Sequence, residues 1–166
     1  SLIQWDLSGL GVTQGSQTRT FVYDSLSRLT SAANPETAGC ATTYTYDANG
    51  NLLTRVAAKP NQTNCATKVT TGYAYDELNR LASKTYDDGT PAAYFYYDEP
   101  SFTLNGTLYT LLNPKPRLTH TVTGNPSAPT TATIHSYDPM GRIYDYWQCT
   151  PWNCGSPSIW KTEHRY

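Results

Sequence analysis

Long apolar runs are missing from this chain. Nothing approaches the ~20 consecutive apolar residues that a bilayer-spanning helix needs, so no membrane insertion is expected. Helical periodicity is missing too, because no apolar i, i+3, i+4, i+7 pattern persists. Charge is scarce: charged residues make up 15% and the net charge is −1, against a usual charged share of ~25%. Without a basic excess there is no electrostatic basis for binding nucleic acid or an anionic surface. Methionine occurs once and histidine three times, as His120, His135 and His164. No phosphate-binding G-x-x-x-x-G-K-[ST] loop and no supported Ser/His/Asp grouping is present. The paired short cysteine spacings of a zinc site are also lacking. The expectation is a non-enzymatic protein with no cofactor and no metal.

What the chain has is Thr, Ser and Asn, with 14 tyrosines and 11 each of Gly and Pro. Thr and Tyr suit a pleated, half-exposed surface, and Gly and Pro supply turns, so the composition predicts an all-β fold. A chain of 166 residues is long enough to hide roughly 70% of its unfolded surface. It opens on Ser1 rather than Met and is read as a processed or excised piece.

The four cysteines are Cys40, Cys65, Cys149 and Cys154. An even count in this composition suits an oxidising compartment, and four cysteines allow three pairings. "CTPWNC" places a turn between Cys149 and Cys154, which favours that pair and leaves Cys40 with Cys65. The alternative is four buried free thiols in a cytosolic protein.

The chain repeats itself. "FVYDSLSRL" (21–29), "YTYDANGNL" (44–52), "YAYDELNRL" (73–81) and "HSYDPMGRI" (135–143) share one pattern. An aromatic, a spacer and Tyr-Asp precede a short turn, which ends in Arg or Asn and then Leu or Ile. The conserved places are Tyr23, Asp24 and Arg28; Tyr46, Asp47 and Gly50; Tyr75, Asp76 and Arg80; and Tyr137, Asp138, Gly141 and Arg142. A degenerate copy opens the chain with Trp5 and Asp6, and the chain closes on "HRY" at Tyr166. In a further copy, "FYYDEPSF", Tyr97 and Asp98 are followed by Arg only at Arg117, so about fifteen residues within 99–115 are inserted at the turn. The units fall near 5–22, 23–45, 46–74, 75–96, 97–136 and 137–166, forming a single array over 1–166. Such a period signals stacked supersecondary units.

Each unit reads as a β-hairpin. Aromatics two apart share one face of a strand. Asp opens the turn by accepting backbone N–H groups. The small residue of the turn tolerates φ > 0, with Ser27 the weakest member. A lone hairpin is marginal in water. Side by side, hairpins are expected to stack their tyrosines into buried columns, each ring pair adding ~0.5–1.5 kcal/mol. The repeated arginines either lie over a neighbouring ring, pair with the turn Asp, or are solvated. The insertion is read as a lengthened hairpin loop. His135 and His164 stand in the aromatic slot of their repeats.

These residues resemble the YD-repeat, or Rhs-repeat, family, named for its Tyr-Asp pair, over nearly the whole chain. That family occurs in bacterial Rhs proteins, wall-associated proteins, insecticidal toxin complexes and animal teneurins. The resemblance implies tandem β-hairpins in a spiralling antiparallel ribbon, a shell or solenoid segment, which in several members encloses a toxic C-terminal domain. No core-closing motif, self-cleavage segment or toxin domain is visible here.

The function expected is an extracellular or cell-surface structural scaffold, a piece of shell or of a self-assembling fibre. Its partners would be flanking repeats or copies of itself, met head to tail, since neither end carries a recognisable cap. The alternatives are a toxin-encapsulating shell segment, or a module that binds carbohydrate or a cell-surface partner through tyrosine-rich faces. "NQT" at Asn61 and "NGT" at Asn105 are N-glycosylation acceptor patterns. "DANGN" at Asp47–Asn51 is out of register for a calcium loop.

Overall fold

A computed structural model describes residues 3–5, 17–37, 39–59, 65–155 and 159–166. The protein is all-β, a large antiparallel sheet that is not closed into a barrel. Two compact units divide it: Ser1–Tyr73 with Tyr86–Asp88, and Ala74–Thr85 with Gly89–Tyr166.

The first unit holds β1 (Ile3–Trp5), β2 (Gln17–Tyr23), β3 (Leu29–Ala33), β4 (Ala41–Tyr46), β5 (Leu52–Ala58) and most of β6 (Lys68–Tyr75). Each strand pairs antiparallel with the next in the chain. A 3₁₀ turn at Pro35–Thr37 joins β3 to β4. The Cys40–Cys65 disulfide, with Cα atoms 5.4 Å apart, ties the approach to β4 to the approach to β6. The first unit's buried apolar side chains, among the described residues, are the small ones of Ala32, Cys40 and Ala57.

The second unit holds β7 (Leu81–Tyr86, up to Thr85), β8 (Ala93–Tyr97), β11 (Leu118–Asn125), β12 (Ala128–Tyr137), β13 (Ile143–Cys149) and β14 (Trp160–Glu163), paired in that order. Between β8 and β11 lies a separate hairpin, β9 (Ser101–Leu104) and β10 (Thr107–Thr110). Asn105 and Gly106, with φ of 51° and 80°, make its tight turn, the primed geometry that matches strand twist. The insertion is therefore not a loop, as the sequence suggested, but a folded hairpin.

That hairpin supplies the second unit's core. Leu104 packs with Val122, Ala132, Cys149 and Cys154, bordered by Tyr94, Tyr96, Phe102, Tyr109 and Ile159. Strand alternation explains the sorting. Val122 and Ala132 are cross-strand partners on the hairpin side. Thr121 and Thr123 alternate to the far side and meet Thr133 and Thr131, with hydroxyl oxygens 2.6 and 2.8 Å apart. Tyr109 of the hairpin meets Trp147 edge-on, with ring centroids 5.6 Å apart. The Cys149–Cys154 disulfide closes the loop beneath the hairpin tip, and the Asn105 amide donates to the Cys154 carbonyl.

Candidate functional site

The motif turns are built alike. At each of Asp24, Asp47, Asp76 and Asp138 the backbone N–H donates to the carbonyl four residues on, at 2.9–3.0 Å. One carboxylate oxygen of each Asp accepts the N–H of Arg28, Asn51, Arg80 or Arg142, at 2.8–2.9 Å. The third turn position is left-handed in every case: φ is 60° at Ser27, 89° at Gly50, 58° at Asn79 and 83° at Gly141. Glycine adopts that conformation freely, while Ser27 carries the strain an L side chain meets there. Where Arg follows, its Nε donates to the other carboxylate oxygen at 2.7 Å: Arg28 to Asp24, Arg80 to Asp76 and Arg142 to Asp138.

These donors shift the carboxyls. The Arg28 N–H holds Asp24 below its ordinary value, against the opposing effect of burial. The Arg80 N–H does the same for Asp76, and the Asn51 side-chain amide leads for Asp47. At Asp138 burial pushes the other way, but the Arg142 N–H and guanidinium prevail. Asp47 is thus engaged within its own turn by Asn51.

Immediately before four of the turns the ladder slips. Tyr23, Tyr46, Tyr97 and Tyr137 each face a return strand carrying one extra residue, at Thr30, Leu53, Thr119 and Tyr144. Such bulges bend a strand and re-aim its groups. The β3–β4 ladder stops at Ser31 and Thr43, short of the Leu29 carbonyl. The Tyr46 hydroxyl donates to that carbonyl at 2.8 Å. Tyr97 does the same to Leu81 at 3.1 Å, and Tyr137 to Leu118 at 2.6 Å.

Over the same rings lie the arginines of the preceding repeats. Arg28 sits 4.9 Å from the Tyr46 centroid, Arg80 4.3 Å from Tyr97, Arg117 5.4 Å from Tyr137 and Arg142 4.1 Å from Tyr166. Each contact is worth ~0.5–2 kcal/mol, depending on how far it is dried. Arg28 reaches on to the Asp47 carbonyl at 3.0 Å, and Arg80 to the Asp98 carboxylate at 2.8 Å. Arg28 and Arg80 thus both shape their own turns and grip the next hairpin.

Two expectations change. Tyrosine does not stack on tyrosine over Tyr46, Tyr97, Tyr137 or Tyr166; a guanidinium takes that place, since a flat cation covers a π-face while bonding sideways to carboxylate and carbonyl. Nor are the rings fully buried: Tyr46, Tyr75, Tyr97 and Tyr137 are half-buried, and Tyr23, with no described arginine over it, is 55% exposed. Of the three readings offered for arginine, pairing with Asp and covering a ring hold together for Arg28, Arg80 and Arg142.

The split repeat keeps its closure. The Asp98 N–H still donates to the Arg117 carbonyl, at 3.1 Å, across the whole insertion. Its side chains re-pair: Asp98, with φ of 65°, turns to Arg80, while Arg117 donates to the carbonyls of Asn113 and Lys115. Gly141 is favoured in its turn by its φ of 83°, and a Cβ there would make the tip of the Arg117 side chain shift.

Both disulfides form as the turn argument favoured, Cys40–Cys65 and Cys149–Cys154. Trp5 lies in β1, while Asp6 and Asn61 lie outside the described residues. Asn105 sits at the hairpin turn, its amide already donating to Cys154. His135 keeps ring neighbours, Tyr137 at 6.3 Å and Tyr146 at 5.2 Å, and His164 lies against Tyr166. Sequence reasoning missed Phe102, Leu104 and Tyr109. "LNGT" inside alternating apolar residues was the available signal.

No protein-family model matches the chain, and no curated protein matches it either. Solved structures do. The crystal structure of TcdB2-TccC3-TEV aligns with 88% of this chain at a TM-score of 0.60 and 16% identity. That of TcdB2-TccC3-Cdc42 aligns with 91% at 0.58 and 14%. That of TcdB2-TccC3 without its hypervariable C-terminal region gives the same figures, 91%, 0.58 and 14%. The aligned part is 6% to 8% of those chains. At such identities the likeness is one of fold.

Proposed function

We propose that this chain is a non-enzymatic structural scaffold, a segment of a YD-repeat wall that works outside the cell. The observation that carries this reading is the arginine–tyrosine ladder. Tyr, Asp, Arg and the carbonyl of the following Leu are engaged in joining hairpin to hairpin. A recognition surface would instead leave such groups open to a partner. Two disulfides support an oxidising setting. The likeness to small portions of the much longer TcdB2-TccC3 chains supports a place among flanking repeats, as one stretch of a shell or fibre. Electron microscopy of the native, full-length material tests the reading. Hollow particles or filaments with walls of this ribbon are expected. A discrete monomer with this chain as an isolated domain would overturn it.

A second reading has one observation in its favour. Trp152, at the tip of the disulfide-closed loop, is 97% exposed, and the bonds of Asn153 to Thr150 fix that loop. Binding of a sugar or a cell-surface partner would centre there rather than on the motif tyrosines. Glycan binding abolished by Trp152→Ala, with the fold intact, would establish it.

A further inference from the structure

His120 lies at the join between the inserted hairpin and the sheet beneath it. It is 4% exposed. Its ring is the middle layer of a stack, with Tyr96 of β8 at 4.3 Å and 10° on one side and Phe102 of β9 at 4.0 Å and 25° on the other. The inserted hairpin therefore rests on an imidazole.

Burial favours the neutral ring. Nδ1 is 3.4 Å from the Thr119 hydroxyl, which is already bonded to the Tyr96 carbonyl at 3.0 Å. From β8 it meets the Tyr96 ring with its phenol, and from β9 the uncharged Phe102. From β12 it pairs with Ile134, beside His135. Its own β11 neighbours are Thr119 and Thr121. Among the described residues no carboxylate acts on it, and the charge-bearing group that does, His135, would repel a proton. Burying a charge without a counter-charge costs several kcal/mol, and proteins shift protonation rather than bear it.

We propose that His120 is an acid-sensitive pin. As the neutral imidazole it holds the β9–β10 hairpin against the second unit's sheet, and on protonation it releases that hairpin, exposing Leu104, Val122 and Ala132. This goes beyond a scaffold role, because it makes one element of the wall movable.

The sign follows from burial, which with His135 pushes the docked imidazole down to about 4. Released into water it returns to the ordinary value near 6.5. The released state binds the proton more readily, so docking is at full strength above about pH 6.5 and weakens as pH falls towards about 4. The opening equilibrium rises roughly 30-fold at pH 5 and more than a hundredfold at pH 4.

The test uses the full chain with both disulfides intact. The His120 ring would be titrated by NMR between pH 7 and 3, alongside amide-exchange protection of Ser101–Leu104 and Thr107–Thr110, corrected for intrinsic rates. Wild type should lose about a hundredfold protection in the hairpin by pH 4, while the β12–β13 amides keep theirs. His120→Phe and His120→Leu should each hold the hairpin within about threefold. A parallel loss in those variants would overturn the proposal. So would a wild-type imidazolium that stays stacked between Tyr96 and Phe102 with the hairpin still docked, a reading that needs no variant to fold.

Discussion

The two units are made of the same hairpin, yet they bury very different things. Among the described residues the first hides only small apolar side chains, Ala32, Cys40 and Ala57, and one polar one, Thr71. The second hides Leu104, Leu111, Val122, Ile134 and Cys149. Motif turns, bulges and guanidinium-covered tyrosines occur in both, so the motif does not make the difference. The insertion does: its hairpin lies on the second unit's sheet and turns a half-exposed face into a packed core. The repeat therefore joins neighbours edge to edge, and bulk burial is a separate device. In the first unit the Cys40–Cys65 bridge is the added constraint.

Breaking the cover should separate the units most sharply. Leu104→Ala should cost the second unit about 2–5 kcal/mol, as for a large buried side chain, and leave the first unit unchanged. Denaturation followed by amide exchange in both units reads this directly. An equal loss in the first unit would show that the two share one core.

Replacing Cys40 and Cys65 together by Ala is the reciprocal experiment. A bridge closing a loop with a separation of 25 residues contributes about 3 kcal/mol by loop entropy. The first unit should lose about that much and the second should not respond. Smaller effects should be shared by both. Tyr46→Phe and Tyr97→Phe each remove one hydroxyl-to-carbonyl bond between hairpins, worth about 1 kcal/mol. Matching losses in urea titrations would confirm that the ladder is common to the two units, and a loss in one alone would confine it.

The hairpins, their turns and the Cys149–Cys154 pair were legible in the sequence because they are local, and Cys40–Cys65 followed as the pair left over. Asp24 to Arg28 or Cys149 to Cys154 spans a handful of residues, and turn chemistry decides such contacts. The position of the insertion was legible too, from the distance between Asp98 and Arg117. What escaped was long-range. Nothing near Arg80 says that its plane will cover Tyr97 rather than face solvent, because that depends on the bulges and on how one hairpin lies against the next. The fold of the insertion was missed for another reason. "SFTLNGTLYT" carries alternating apolar residues around Asn-Gly, but Asn-Gly-Thr is also an N-glycosylation acceptor pattern and as such reads equally well as an exposed loop. His120 looked unremarkable because its neighbours Tyr96 and Phe102 come from other strands.

Where a repeat ends its turn in arginine, that arginine and the tyrosine of the next repeat couple the two hairpins. A double-mutant cycle on Arg80 and Tyr97, using Arg80→Gln and Tyr97→Leu, tests it most directly. The two groups face each other at 4.3 Å, and a coupling energy of about 1 kcal/mol is expected. Strictly additive single losses, with no coupling outside error, would contradict it.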